Sequence, residues 1–426
     1  MSQFDTDLII AGGGLAGATL ALALARAVPS LRVTVVEAFP LSADALPEDY
    51  QPSYDARSTA LAWGSRLIFE ELGLWRRLYE HATPIRHIHV SDRGRFGATR
   101  LNADEHQQDA LGYVADNRWM GLCLMRELLD TNVQWQAPTE VVDMAPKAGG
   151  VDVALKTGDD SHRMTAQCLV VADGGRSGLR ERLGFQVRHR SYGQNALIAN
   201  VSTSESHQFS AFERFTDAGP MALLPHGGAN RAGQQSALVW TLTDEMLEDV
   251  LALPDVDKCQ RLQERFGWRL GRFTRIGECS HYPLKLSTVD EPVRPGVALV
   301  GNAAHALHPV AGQGFNLALR GLMTLVEQFR LAAERSQSLG DLQVLNRYQQ
   351  LHRQDWQQTA QFSDSLIRLF GPSLTPLAVA RDAGLVGLDL VPGAKRWFAR
   401  KAMGLGGRRA VIHKPKTGTG EPASHD

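Results

Sequence analysis

Six residues near the amino terminus, Gly12-Gly13-Gly14-Leu15-Ala16-Gly17, have the types and spacing to cradle a phosphate. Bare backbone at the start of a helix presents free N–H groups and the positive end of the helix dipole to an anion. Gly12 permits a tight turn, Gly14 lets the backbone approach a pyrophosphate, and Gly17 lets the helix pack close to the preceding strand. About twenty residues further on, Glu37 closes a second apolar run, where a carboxylate accepts hydrogen bonds from a ribose. A glycine-rich turn that merely packs helix on strand does not account for Glu37.

Two further stretches carry the same kind of chemistry. In "TAQCLVVADGGRSGLRERLG", residues 165–184, Asp173 and Gly174 stand at the end of an apolar run. They can meet a ribose or a pyrophosphate, or equally form an Asx turn that caps the next helix. In "GNAAHALHPVAGQGFNLALRG", residues 301–321, His305, His308 and Pro309 lead into Gly312, Gly314 and Asn316 where a helix begins. A bare helix start needs one cap, and spare glycines there suit a ligand. Three strand-to-turn stations exceed what NAD alone requires, whereas a bound flavin dinucleotide uses all three.

The elements that must hold these stations are legible from periodicity. "DLIIA" (7–11) and "LRVTVVEA" (31–38) read as buried strands around the helical "ATLALALARA". Between 187 and 285 the pattern changes to alternating pieces such as "QNALIANVST", "SAFERFT", "MALLP" and "QSALVWTLT", which read as an antiparallel sheet over a pocket. Helices are predicted from about 316 to 335 and again through "LQVLNRYQQLHRQDWQQTAQFSDSLIRLF". The last twenty residues, rich in Gly, Lys, Pro and Ser, read as a mobile tail.

Bulk properties exclude several classes. The 426 residues are 43% hydrophobic and 21% charged, with formal net charge -1 and a pI near 6.9, so no basic field is present to hold nucleic acid. Cys123, Cys168, Cys259 and Cys279 lie far apart with no C-x-x-C pair, which argues against a metal site or disulfide framework and for a reducing compartment. "LAGATLALALARA" imitates a signal peptide, but Asp5 and Asp7 precede it and no positive charge does. No run reaches the roughly 18 apolar residues of a membrane span. The expectation is a cytoplasmic protein.

Taken together, "GGGLAG" with Glu37, "ADGGRS" at 172–177 and the 301–321 stretch resemble the flavin aromatic hydroxylases of the para-hydroxybenzoate-hydroxylase fold. "DARSTALA" (55–62), "SYGQNALIANV" (191–201), "AFERFTDAGPMALLP" (211–225) and "DSLIRLF" (364–370) are similar to the ubiquinone-biosynthesis branch of that family. The resemblance implies an α/β protein: a Rossmann-like FAD-binding domain, an inserted antiparallel β-sheet substrate domain and C-terminal helices. The corresponding boundaries are 1–72, 100–184 and 285–335 for the FAD domain, 73–99 and 185–284 for the sheet, 336–406 for the helices and 407–426 for the tail.

Activity and partners follow from the same resemblance. NADH or NADPH reduces the FAD, O2 adds to give a flavin hydroperoxide, and one oxygen passes to a polyprenyl-phenol ring. In such enzymes the third stretch wraps the flavin, which assigns Asn302, Pro309, Gly312, Gln313, Gly314, Phe315 and Asn316 to the cofactor. Asn302 departs from the acid usual at that place. An arginine at the place of Arg57 touches the flavin side, and His226 and His305 are candidates for handling the phenol proton. A peripheral membrane contact through Trp397, Phe398 and Met403, beside Lys395, Arg396, Arg400 and Lys401, competes with ordinary packing of that helix on the core. A complex with other ubiquinone-biosynthesis proteins is also implied. Three alternatives stand beside the main reading: hydroxylation at another ring position, a flavin reductase or oxidase, or a prenyl-lipid carrier of the same fold. At Gly314 a side chain is expected to abolish catalysis, whereas Gly321→Ala is expected to be harmless or slightly stabilising.

Overall fold

The computed structural model describes residues 4–40, 57–92, 98–175, 178–216, 218–228, 233–306, 312–370 and 391–413. A six-stranded sheet forms the first layer, in the order β19 (Val293–Arg294), β20 (Val297–Leu299), β12 (Cys168–Val171), β1 (Leu8–Ala11), β2 (Val33–Val36), β8 (Gln134–Gln136). All its neighbouring strands are parallel except the β19–β20 pair. β1, β2 and β12 are buried along their whole length, which is why they read as unbroken apolar runs rather than as alternating ones.

One face of this sheet is covered by helices. α1 (Leu15–Ala27) lies against α4 (Asn117–Leu129) and α8 (Gln313–Glu334), and α8 in turn packs on α9 (Leu342–Phe370). The resulting core includes Leu20, Leu22, Leu24, Met120, Leu124 and Phe329. On the other face, a three-stranded antiparallel sheet of β9 (Glu140–Lys147), β10 (Gly150–Thr157) and β11 (Asp160–Ala166) buries Val151, Val153 and Leu155.

A nine-stranded sheet makes the second unit. It runs β21 (His305–Ala306), β18 (Ser280–Val289), β13 (Val187–Thr203), β16 (Gln235–Thr243), β15 (Gly219–His226), β14 (Ser210–Thr216), β5 (His87–Asp92), β6 (Ala98–Asn102), with β17 (Phe273–Ile276) also paired to β13. α6 (Asp244–Ala252) and α7 (Asp255–Phe266) back it through Leu247, Val250, Leu262 and Phe266. A third small sheet, β3 (Ser58–Ala62), β7 (Gly112–Asp116) and β4 (Thr83–Ile85), joins the two units. Short helix α2 (Trp63–Glu71) follows β3 and leads into α3 (Trp75–Tyr79), α5 (Leu179–Arg182) follows β12, and α10 (Pro392–Ala402) is the last element among the described residues.

Two features differ from the sequence reading. His305–Ala306 lies in the stretch assigned to the cofactor domain, yet pairs with β18 of the large sheet and so ties the third station to it. Residues 407–413, expected to begin a mobile tail, are tied to the fold at a few points, though most of them stay exposed. Arg408 reaches the buried Glu327 at 2.6 Å, the Val411 N–H donates to the same carboxylate at 3.1 Å, and Ile412 is buried. A carboxylate buried on α8 demands partners, and the chain end supplies them.

Candidate active site

The first and second stations meet because β1 and β12 are neighbours. Ala11 pairs with Val171, and Gly12 turns at φ +102°, where a Cβ would lie 2.9 Å from the Ala172 carbonyl oxygen. Gly17 sits one helical turn later, and a Cβ there would come 1.9 Å from the Gly12 carbonyl oxygen. Both glycines are therefore demanded by close backbone approach. Gly14 is the N-cap of α1 with no side-chain cap, so the helix start keeps donors for something else.

Glu37 is buried and already engaged. One carboxylate oxygen accepts from the Gly13 N–H at 2.6 Å and the other from the Phe39 N–H at 3.0 Å. It joins the glycine turn to the end of β2 while still lining the cavity. At the second station the Asx turn forms: Asp173 Oδ1 accepts from the Gly175 N–H at 2.8 Å. Gly174, at φ +72°, has open space where its Cβ would be.

The third station is locked to the others by Arg180, which spacing did not reveal, and by Gly312 and Asn316, which the sequence assigned to the cofactor. Buried Arg180 donates from Nη1 to the Ala303 carbonyl at 3.1 Å, and stands where a Cβ on Gly175 would fall. Gly312, at φ +62°, caps α8 and approaches Ala60 of β3. Asn316 is almost fully buried and uses its whole amide: Oδ1 accepts from the Ala62 N–H (2.8 Å) and Ser65 Oγ (2.7 Å), and Nδ2 donates to the carbonyls of Ala60 (2.9 Å) and Gly312 (2.7 Å). Its side chain has no capacity left for a ligand, so its contribution is to position the helix start.

These stations open into one cavity of about 2080 Å³. Gly12, Gly14, Glu37, Arg57, Asp173, Gly174, Asn302, Gly312, Gln313, Gly314, Phe315 and Asn316 all line it, while Gly17 lies behind the turn and Pro309 falls outside the described residues. A Cβ on Gly314 would meet nothing within 4 Å. The Arg57 guanidinium carbon stands 5.4 Å from the centre of the Tyr282 ring, across the same cavity. Much of the far wall is apolar, with Ile198, Ala222, Leu224 and Leu238 of the large sheet, Ile85 and Leu111, and Phe398 and Ala402 of α10, while Asn200, Glu213, His281 and Lys285 of the same sheet add polar groups.

Two histidine assignments change. His305 does not line the cavity: its ring stacks 4.8 Å from Trp356 and lies 6.0 Å from His352, and burial pushes its pKa down to about 3. A base so reluctant to protonate braces α9 rather than handling a phenol proton, and it is corrected to a packing residue. His226 also stands back from the cavity lining, bonded through Nε2 to Asp116 Oδ1 at 3.0 Å. Gly321 is corrected as well: a Cβ there would fall 2.7 Å from the His352 ring, so this glycine lets α8 approach α9.

The donors suit a flavin dinucleotide. Two helix starts, at Gly14 and Gly312, lack side-chain caps, and Cβ atoms at Gly174 and Gly314 would occupy open space in the cavity. A parallel sheet whose strand ends meet an apolar chamber under an antiparallel sheet is the build of a flavin-dependent aromatic monooxygenase. Comparison with known proteins agrees. The model of the FAD binding domain family matches residues 5–363. A ubiquinone hydroxylase of Rhodospirillum rubrum is 34% identical over 93% of this chain and 89% of its own. The 3-demethoxyubiquinol 3-hydroxylase of Escherichia coli is 27% identical over 95% of this chain and 100% of its own. Among solved structures, the p-nitrophenol 4-monooxygenase of Pseudomonas putida shares the fold, with a TM-score of 0.76, 16% identity and coverage of 96% and 100%. The chain belongs to the FAD-binding-domain family, as a flavin monooxygenase related to the ubiquinone hydroxylases. FAD is its cofactor, and NAD(P)H is the electron donor typical of the class.

Proposed function

We propose that this enzyme hydroxylates the ring of a polyprenyl phenol, such as 2-polyprenyl-6-methoxyphenol, on the way to ubiquinone, using O2 and electrons from NADH or NADPH. The observation that carries the reading is the single cavity: three polar cofactor stations run without a break into a chamber under the large sheet with many apolar side chains in its wall. FAD, when bound, supplies two-electron reduction by NAD(P)H and the activation of O2.

The chain's own residues do the rest. In this reading Gly12, Gly14 and the α1 start hold the pyrophosphate, Glu37 and Asp173 hold hydroxyl-bearing parts of the cofactor, and Asn302 meets its chain. The α8 start, with Gly312, Gln313, Gly314 and Phe315, turns N–H groups to the ring edge where negative charge collects. Arg57, opposite Tyr282, flanks the same space. The apolar wall binds the prenyl tail and excludes water from the reacting atoms.

A tail of that kind resides in lipid, and no helix among the described residues is long and apolar enough to cross a membrane. We infer that the cytoplasmic enzyme meets the bilayer through α10. Phe398 and Ala402 line the cavity, while Trp397 is 58% exposed and Arg396 and Arg400 flank it in solvent. Met403 is buried and takes no part in that contact. Docking onto other enzymes of the same pathway belongs to the same proposal. The reading is tested by mass spectrometry of quinone intermediates in cells lacking this gene product. A prenyl phenol short of one ring hydroxyl should accumulate; an unchanged intermediate profile contradicts the proposal.

A further inference from the structure

Ser58 lies in the cavity wall, and its hydroxyl donates to Asp116 Oδ1 at 2.6 Å. The same carboxylate oxygen accepts from His226 Nε2 at 3.0 Å. Three strands thus bring their ends to one oxygen: Ser58 opens β3, Asp116 ends β7 and His226 ends β15. The β3–β7 register already pairs Ser58 with Asp116 through the backbone, so strand pairing alone does not call for an acid and an imidazole here. Nearby, Thr59 donates to Asn117 Oδ1 at 2.6 Å and the Asn117 N–H donates to the Arg57 carbonyl at 2.9 Å. This corner of the wall is held rigidly, with Arg57, Ser58, Thr59 and Asn117 all facing the cavity.

We propose that Ser58, Asp116 and His226 form a proton-accepting group that takes the ring-hydroxyl proton of the substrate. The inference rests on the reading that a phenol occupies the cavity. Ser58 meets the phenol, and Asp116 and His226 act as positioning residues behind it. The phenol O–H bond breaks as its proton passes to Ser58 Oγ, and Ser58 gives its own proton to the Asp116 carboxylate. Asp116, whose side chain is 41% exposed, then releases that proton to water. One proton leaves the phenol and one enters solvent; no electrons move. The bound ring is left as a phenolate, the electron-rich form that attacks electrophilic oxygen.

The surroundings keep Asp116 ionised, as the acceptor of the Ser58 hydrogen bond. The Asp116 hydrogen bond and charge hold His226 above its ordinary pKa, against its burial. Burial alone would raise Asp116, but the hydrogen bond and charge of His226 and the Ser58 hydroxyl outweigh it and keep the carboxyl below its usual range. Asp116 is therefore held as a carboxylate, whose Oδ1 accepts from both Ser58 and His226. Two other titratable groups face the pair: His81 favours the Asp116 carboxylate, and His207 meets the His226 carbonyl oxygen at 3.2 Å. Burial lowers the His207 pKa and keeps it neutral.

The test uses the FAD-loaded enzyme and a short-chain 2-prenylphenol as probe. Two quantities are read across pH: the ultraviolet difference band of bound phenolate, and the rate of hydroxylated product. Wild type should show the band at least one pH unit below the ionisation of the free phenol. Ser58→Ala and Asp116→Asn should retain flavin and probe affinity, lose the band at pH 7, and fall in rate by about 10²-fold or more. Both should recover where the phenol ionises unaided. His226→Gln keeps a donor but no charge, and should shift the acid limb of the rate profile upward by less than the loss of Asp116 does. If Asp116→Asn loses its flavin through misfolding, Ser58→Ala and His226→Gln decide. Failure of wild type to bind the probe sinks the substrate reading and this inference with it. If the probe binds and all three variants keep the wild-type band and profile, only the proton-accepting group is overturned.

Discussion

Gly314 and Gly321 lie two helical turns apart on α8 and do opposite jobs. A Cβ at Gly314 would project into open cavity, so Gly314→Val should leave folding intact, with an unchanged urea midpoint. It should also weaken FAD retention, or uncouple NAD(P)H oxidation from hydroxylation by about 10²–10³, as expected when one preorganised donor is displaced. At Gly321 the Cβ would strike the His352 ring, so Gly321→Ala should cost about 1–3 kcal/mol of stability in the same denaturation experiment. The sequence made Gly314 legible because helix-start signals and spare glycines occur together there. It could not show Gly321, whose constraint comes from a side chain on another helix. Buried Arg180 was hidden for the same reason, and Asn316, legible as a helix-start residue, gave no sign that distant backbone groups rather than the cofactor would take up its amide.

The same cluster sets a pH dependence. Burial pushes His305 down to about 3 and His352 to about 4, from an ordinary value of 6.5. Above pH 6.5 both are neutral folded or unfolded. Below it the unfolded chain takes up protons that the fold refuses, so stability falls as pH falls, by about 1.4 kcal/mol per unit for each histidine. His226, whose folded pKa is raised, changes the balance only above 6.5 and leaves this window clear. Urea unfolding of wild type and His352→Gln between pH 7 and 5 should show a shallower slope for the variant; equal slopes would contradict the assignment.

At the scale of elements, α8 and α10 carry the functional load. Asn316 fixes the α8 start to β3 and α2 by three hydrogen bonds, and a fourth closes on the Gly312 carbonyl of its own N-cap. α10 presents Ala399 and Met403 to the core, Phe398 to the cavity and Trp397 to solvent. Its sequence showed an amphipathic helix with aromatic and basic residues, and left open whether core or membrane received them. The structure buries Ala399 and Met403 and leaves Trp397 exposed, which keeps the membrane contact a proposal about Trp397 and its basic neighbours. Trp397→Ala combined with Arg400→Glu should reduce co-flotation with anionic liposomes severalfold, while neutral liposomes bind weakly either way. Flotation unchanged by the double substitution would remove α10 from the membrane contact.

At the scale of the molecule, the parallel strands were readable because burial on both faces writes continuous apolar runs. The antiparallel pieces were readable from their alternation. Their assembly was not: β14 pairs in parallel with β5, more than a hundred residues earlier, and β21 returns from the third station to join β18. Such long-range pairings leave no periodic trace, yet they place the apolar wall over the cofactor stations. The central claim is that this assembly transfers one oxygen atom from O2 to a prenylated phenol. The most direct measurement is turnover of the FAD-loaded enzyme with NAD(P)H and a short-chain 2-prenylphenol under 18O2. The expected result is one labelled oxygen in the ring hydroxyl of the product for each NAD(P)H consumed. NAD(P)H oxidation with all the label in hydrogen peroxide and none in the ring, under conditions where the phenol is bound, would contradict the account.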